Sequence, residues 1–332
     1  MIGSTPVPRQ ARSSTGRHRG LLGTGLLASM ALLLGAGLSG CNEGQARTIE
    51  QDNGDRWPAT LRVAYTPSSE DPEGRMTQYR ELAGYLGDQL GIEVDLVRSS
   101  SYGPTIEAMR AHKIDFASGG PFSYIIASHK AGAEVLISRG KRDGSFGAYS
   151  TVIATSPDTG IRSIDDMRKG AAELTFAFVD PASSSGHLVP RGYLESIGLN
   201  PEKSFKQVVF AQNHPNTIMT AVSAKADVAA ISRSALDRFI ERGRIKADEL
   251  VILWESDPIP SSPWYVRAEL PDSLKLAVQQ AFVRMEQQQP ALLETFRQRV
   301  RDPDMVFLAS DDTLFDPLRQ IALGLDTMNL LN

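Results

Sequence analysis

Four stretches of this chain place hydroxyls, a phenol or an imidazole just ahead of a helix. Val179-Asp-Pro-Ala-Ser-Ser-Ser-Gly-His-Leu-Val-Pro190 sets Ser183, Ser184 and Ser185 in a row before a glycine. Helix N-termini leave N–H groups without partners and carry partial positive charge. Serines there add neutral donors, which suits an anion. The bland alternative for any single serine is N-capping. Tyr102-Gly103-Pro104 also follows a strand and opens a helix, as do Gly119-Gly-Pro-Phe-Ser-Tyr124 and Gln212-Asn-His214-Pro-Asn216. Converging on one cleft, the four turns would ring a small anion with neutral donors and one titratable donor, His214.

Other chemistries find little support. No His/Asp/Glu cluster has metal-ligand spacing, so no metal is expected. No GxSxG, P-loop or GxGxxG occurs, and no cofactor is expected. Ser183 and His214 could pair as a hydrolase dyad by spacing alone, but no flanking pattern supports this, and no enzyme is expected. His112 and His129 fall at helix C-terminal ends and read as exposed dipole partners. His187 lies inside the helix after the serine turn and reads as packing or support. Trp254 and Trp264 bracket a proline-rich crossover, Glu255–Pro263, whose serines border a hinge.

The elements that must position these residues alternate. Strands are predicted at 61–65, 92–97, 114–117, 135–138 and 150–154, with helices at 76–90, 104–111 and 121–131. The second half repeats the order. Strands at 175–178, 207–210, 228–231 and 250–254 alternate with helices at 164–169, 184–197, 215–224 and 235–243. Helices at 272–300, broken at Pro290, and 313–330 close the chain. This is α/β logic with ligands at the C-terminal ends of strands. Two lobes joined by extended stretches near 150–155 and 253–263 give a hinged cleft, a two-lobed periplasmic-binding-protein architecture. The expected boundaries are 59–151 with 258–332 for lobe 1, and 152–257 for lobe 2.

The N-terminus is an address. Arg9, Arg12, Arg17 and Arg19 precede an uncharged run, residues 21–38, that ends in Leu38-Ser39-Gly40-Cys41. A basic region, an apolar run and the chain's single cysteine match a bacterial lipoprotein leader, cut before a lipidated Cys41. The alternative is an uncleaved anchor; both tie the protein to a membrane outside the cytoplasm. Removing residues 1–40 deletes four arginines and no acid, which moves the net charge from −4 to −8. No basic field for nucleic acid remains, and no free thiol is left for catalysis. Residues 41–58 read as a polar tether. Length (332 residues), 41% hydrophobic and 22% charged residues are those of an ordinary globular protein with a sizeable core.

The body, over most of residues 60–325, resembles the phosphonate/phosphite solute-binding proteins of ABC transporters. The carrying motifs are Ser101-Tyr102…Glu107-Ala-Met-Arg110, Lys113-Ile-Asp-Phe-Ala117, Gly120-Pro-Phe-Ser-Tyr124, Asp180-Pro-Ala-Ser-Ser-Ser-Gly186…Leu188-Val-Pro190, Asn213-His214, Ala226-Asp-Val-Ala-Ala230 and Ile259-Pro-Ser-Ser-Pro263. The resemblance implies a Venus-flytrap fold and an ABC permease as partner. It implies that Tyr102, Ser183, Ser184 and His214 donate to the oxyanion, with Ser185, Tyr124, Tyr149 and Ser262 as further ligand-binding candidates. Members that bind aminoalkylphosphonates place acids where Ser234 and Ser262 stand here. A buried ammonium without a carboxylate is costly, so the expected ligand lacks an amine: phosphite, hypophosphite, a small alkylphosphonate or phosphate. Asp257 would reverse this if it faced inward. A flytrap that closes freely is expected to be a monomer. The alternatives are the same fold as a ligand sensor, or a different organic anion as ligand.

Overall fold

The computed structural model describes residues 48–51, 54–65 and 72–325. The leader (1–40), Cys41, most of the loop after residue 65 and the end of the last expected helix lie outside the described residues. In chain order the strands are β1 (Thr48–Glu50), β2 (Arg56–Pro58), β3 (Thr60–Tyr65), β4 (Glu93–Arg98), β5 (Phe116–Ser118), β6 (Glu134–Lys141), β7 (Ala148–Tyr149), β8 (Thr151–Thr155), β9 (Thr175–Phe178), β10 (Gln207–Phe210), β11 (Val228–Ser232), β12 (Val251–Glu255), β13 (Ile259–Pro260), β14 (Trp264–Val266) and β15 (Met305–Ala309).

Two sheets carry the molecule. One has the order β15-β6-β14-β5-β3-β4 and the other β10-β9-β11-β8-β12. In the first, β3 runs parallel to β4 and β5, and β14 runs antiparallel to β5 and β6. Side chains alternate between its faces, as strand geometry requires. Leu61, Val63, Phe116 and Trp264 pack with Tyr79, Leu86 and Phe282 on one side. Ala64, Ala117 and Tyr265 pack with Ile106, Ile125 and Leu318 on the other. The second sheet does the same. Val152, Ala229 and Ile231 meet Ile218 and Leu236 on one face, while Ile153, Phe176 and Phe178 meet Met167 and Leu194 on the other. Helices thus cover both faces of both sheets, because strands this apolar on two sides must be buried twice.

The chain passes between the sheets twice, from β7 into β8 and from β12 into β13. The two crossings are tied together: β7 pairs antiparallel with β13, Tyr149 opposite Ile259 and Ala148 opposite Pro260. The fold is the expected two-lobed α/β flytrap.

Several local expectations are corrected. Residues 48–58 are not a structureless tether, since β1 and β2 pair antiparallel. Trp57 is buried, and its Nε1 donates to Ser273 Oγ at 2.8 Å. Tyr102 opens its helix (Tyr102–Arg110) rather than preceding it. The helix after the serine turn begins with a π-turn, Ser184–Leu188, before Val189–Ser196. Strands β14 and β15, both in the first sheet, have no counterpart in the sequence reading; each is too short to show a period.

Candidate functional site

Strand β9 ends at Phe178 and the chain turns sharply. Asp180 Oδ1 accepts from the Ala182 N–H at 2.8 Å, and the Ser183 N–H donates to the Asp180 carbonyl at 2.9 Å. Ser183 Oγ then accepts from the Gly186 N–H at 3.0 Å, the N-cap expected of one serine in the row. The turn closes on itself where the Val179 N–H donates to the Gly186 carbonyl at 2.9 Å. A Cβ at Gly186 would sit 2.3 Å from the Val179 side chain, so only glycine fits this approach.

The other two serines face away from that cap. Ser184 Oγ accepts from the Phe122 N–H at 2.8 Å. Phe122 belongs to the helix Pro121–Ala131, whose N-cap, Gly120, offers no side-chain oxygen. Ser185 Oγ stands 3.4 Å from His214 Nε2. His214 opens the helix His214–Val222, capped by Asn213. Its Nδ1 accepts from the Ser232 N–H at 3.2 Å. A backbone N–H only donates, so the ring proton sits on Nε2 and points as a donor toward Ser185 and the cavity. The serine paired with His214 is Ser185, not Ser183, and Ser183 is engaged as a cap. The spacing-based dyad is therefore not formed.

These groups line one cavity of about 210 Å³ with Tyr102, Gly119 and Gly120 of the other lobe. Gly119 is also close-packed, though less tightly than Gly186: a Cβ there would meet Ser123 Oγ at 2.6 Å and Tyr265 Oη at 2.8 Å. Tyr149, from the crossing strand β7, also lines the cavity. Its phenol pKa is raised by burial, a shift reduced by the facing hydroxyls of Ser185 and Ser184 and by Arg139. Ser262 and Ser234 line the cavity, and Ser232 and Ser234 hydroxyls lie 3.0 Å apart.

One candidate falls elsewhere. Tyr124 does not line the cavity. Its ring packs against Tyr265 and Phe315, and its hydroxyl donates to Asp312 Oδ1 at 2.7 Å. Only the Phe122 backbone N–H meets Ser184; the Tyr124 ring, like that of Phe122, is buried in the core. His187, in contrast, packs as expected. Its ring sits edge-on to Phe178 and Phe210, and Nδ1–H donates to the Pro181 carbonyl at 2.8 Å. His112 and His129 are exposed. Among the described residues no group of His, Cys, Asp or Glu is placed to hold a metal ion.

The expected ring of neutral donors and one titratable donor, His214, leaves out four arginines. Arg75, Arg139, Arg238 and Arg299 also line the cavity, and among the described residues no Asp or Glu does. Asp257 is exposed and is not among the lining residues. The arginines escaped notice because each lies on a different element, far apart in sequence, and the overall charge is negative.

A polar cavity lined by serines, a histidine and arginines, walled by turns from both lobes of a twice-crossed α/β fold, is that of a periplasmic solute-binding protein. Residues 64–302 match the family model for the ABC transporter, phosphonate, periplasmic substrate-binding protein, and the chain belongs to that family. Its members are substrate-binding components of transporters, not enzymes. The chain is 29% identical over 258 residues to the phosphonates-binding periplasmic protein of Escherichia coli, a match covering 77% of this chain and 74% of that one. It is 27% identical over 244 residues to the phosphate-import protein PhnD of Mycolicibacterium smegmatis, covering 71% and 73%. Among solved structures it is similar to a binding protein component of an ABC phosphonate transporter from Pseudomonas aeruginosa, with TM-score 0.70, 25% identity, and 82% and 89% of the chains covered. PhnD1 from Prochlorococcus marinus in complex with methylphosphonate has the same fold, with TM-score 0.70, 17% identity, and 81% and 99% covered.

Proposed function

We propose that this protein captures an amine-free phosphorus oxyanion, a phosphonate, phosphite or phosphate, in the cavity between its lobes and hands it to an ABC permease. The observation that carries this reading is the cradle of Ser184, Ser185 and His214 Nε2–H facing Tyr102 and the start of the Pro121–Ala131 helix. Tyr149 and Ser262 complete the ring of donors. Ser183 acts through the cap that shapes the turn. An oxyanion there meets hydroxyls, an imidazole N–H and helix N-terminal N–H groups, a set that favours negative charge in a dry site. Among the described residues the cavity wall offers no carboxylate to an ammonium, and serines stand at 234 and 262. An aminoalkylphosphonate would bury its cation unpaired.

The mobile units are lobe 1 (59–151 with 258–332) and lobe 2 (152–257), hinged where β7 and β13 run side by side. Ligand favours closure by binding the closed state better than the open one. A lipid on Cys41 holds the protein, as a monomer, at the periplasmic face of the membrane.

The test is calorimetric titration of the purified full-length protein in detergent with phosphite, methylphosphonate, phosphate and 2-aminoethylphosphonate. The reading expects binding of an amine-free anion that is lost in Ser185→Ala and His214→Ala. Preferential binding of 2-aminoethylphosphonate would overturn it. Mass spectrometry of the N-terminal fragment from membranes checks the lipid: an unmodified Cys41 thiol would refute the anchor.

A further inference from the structure

Arginines that are buried elsewhere in the described residues are matched by carboxylates. Arg191 pairs with Glu202 at 2.6 Å, and Arg297 with Glu286 at 2.7 Å. Buried Lys275 pairs with Glu134 at 2.8 Å. Two cavity arginines break this pattern. Arg139, on β6, makes no ion pair among the described residues, although it is partly buried. Its guanidinium pKa is pushed down to about 10, first by burial and then in part by Arg75 and Arg238, while Tyr149 and Tyr79 face it. Arg75 donates from Nη2 to the Tyr79 hydroxyl at 3.0 Å and lies 5.0 Å from that ring's centre. Its Nε is buried without a partner, and it too makes no ion pair among the described residues.

Two guanidinium groups that line one partly dry cavity without a carboxylate partner among the described residues destabilise the empty state. Nothing in the serine cradle requires them, because hydroxyls and His214 already supply donors to one oxyanion. They also adjoin that cradle, since Arg75, Arg139, Tyr149, Ser184 and Ser185 line one cavity and Tyr149 interacts with Ser184, Ser185 and Arg139. A guanidinium presents a planar fork that matches a carboxylate or phosphoryl group with two hydrogen bonds.

We infer that the arginine side of the cavity, Arg75 and Arg139, receives a second anionic group of the ligand, so that the preferred substrates are phosphonates whose short substituent ends in a carboxylate or another oxyanion. This rests on the phosphonate-type reading above and narrows it. The head group sits at the serine turn, Tyr149 marks the middle, and the second charge meets the guanidinium groups.

The experiment titrates the full-length protein with phosphonoacetate, 3-phosphonopropionate and methylenediphosphonate, and with the uncharged-tail partners ethylphosphonate and propylphosphonate. At least a tenfold preference for the doubly anionic compounds is expected; the diphosphonate arm shows whether a carboxylate or a phosphoryl group is favoured. Arg139→Gln and Arg75→Gln are expected to weaken the doubly anionic compounds at least about tenfold more than methylphosphonate, which erases the preference. Arg139→Lys, which keeps the charge without the fork, should retain part of it, and thermal melts check that each variant is folded. Equal affinity for charged and uncharged tails overturns this inference alone. So does an Arg139→Gln variant that loses methylphosphonate as strongly as phosphonoacetate, because the arginines would then hold the head group. Failure of every phosphonate to bind would overturn both readings.

Discussion

Ser184 Oγ accepts from the Phe122 N–H at 2.8 Å, across the cleft between the two lobes. A serine on one lobe thereby completes a helix N-terminus on the other, where Gly120 cannot cap it. The bond exists only when the lobes are together, so it links closure to the geometry of the cradle. Losing it leaves a buried N–H unsatisfied, at a cost of about 1–3 kcal/mol. Ser184→Ala is therefore expected to weaken ligand binding about tenfold or more and to shift the ligand-free protein toward open forms. Small-angle scattering with and without ligand checks this, and an unchanged radius of gyration with unchanged affinity would count against the linkage.

Gly186 tests how tightly the serine turn is built. Gly186→Ala would drive a methyl to 2.3 Å from the Val179 Cβ and Cγ2, and to 2.9 Å from Ser183 Oγ. Val179 is fully buried and its Cβ cannot swing away. Overpacking of this kind costs about 1–3 kcal/mol or more. Loss of ligand binding with a lowered Tm is expected. Gly103→Ala is the control: nothing lies within 4 Å of its Cβ position, and it sits in a helix. That variant should be neutral or stabilised by up to about 1 kcal/mol.

His187 makes stability fall in mild acid. Burial pushes its pKa down from 6.5 to about 4. The unfolded chain takes up a proton at this residue near pH 6.5, and the folded protein only near pH 4. Stability is thus fully present above about pH 6.5 and declines as the pH drops toward 4. The loss amounts to about 3 kcal/mol at most. Denaturant titrations at pH 7.0 and 4.5 should differ by less in His187→Phe than in the parent protein. An identical pH dependence in the two would show that His187 does not titrate this way.

Asp115 governs a lower pH window. Its side chain is fully buried and accepts from Arg62 Nε and Nη2, both at 2.8 Å, and from Arg267 Nε at 2.7 Å. Burial alone would raise its pKa, but the two guanidinium groups outweigh it and hold the carboxyl below the ordinary value. The stability this provides is present above the unfolded pKa of about 4 and is lost as the pH falls further. Asp115→Asn leaves both arginines without their shared partner and should cost about 3–5 kcal/mol at neutral pH. The same denaturant titration measures it; a loss under about 1 kcal/mol would mean that water replaces the carboxylate.

Most of the strand-and-helix alternation, the serine turn after Phe178 and the family are legible in the sequence, although β1, β2, β14 and β15 are not. These are local properties. Period-two alternation, N-capping by Ser183 and proline at helix starts are each settled within a few residues. Ser183, Ser184, Ser185 and His214 were legible because each sits at such a turn, and turns at strand ends meet by topology.

Tertiary structure alone decided which neighbours share the cavity. At the start of one helix the Phe122 backbone N–H meets Ser184, while the Tyr124 side chain, like that of Phe122, turns into the core. Tyr149 enters the cavity because β7 pairs with β13 at the crossing. Arg75, Arg139, Arg238 and Arg299 carry no local pattern at all. They come together because the sheet order β15-β6-β14-β5-β3-β4 and the two crossings fold four distant elements around one space. The electrostatic field of such a cluster depends on distance and burial, and neither is fixed until non-local strand pairing has been made.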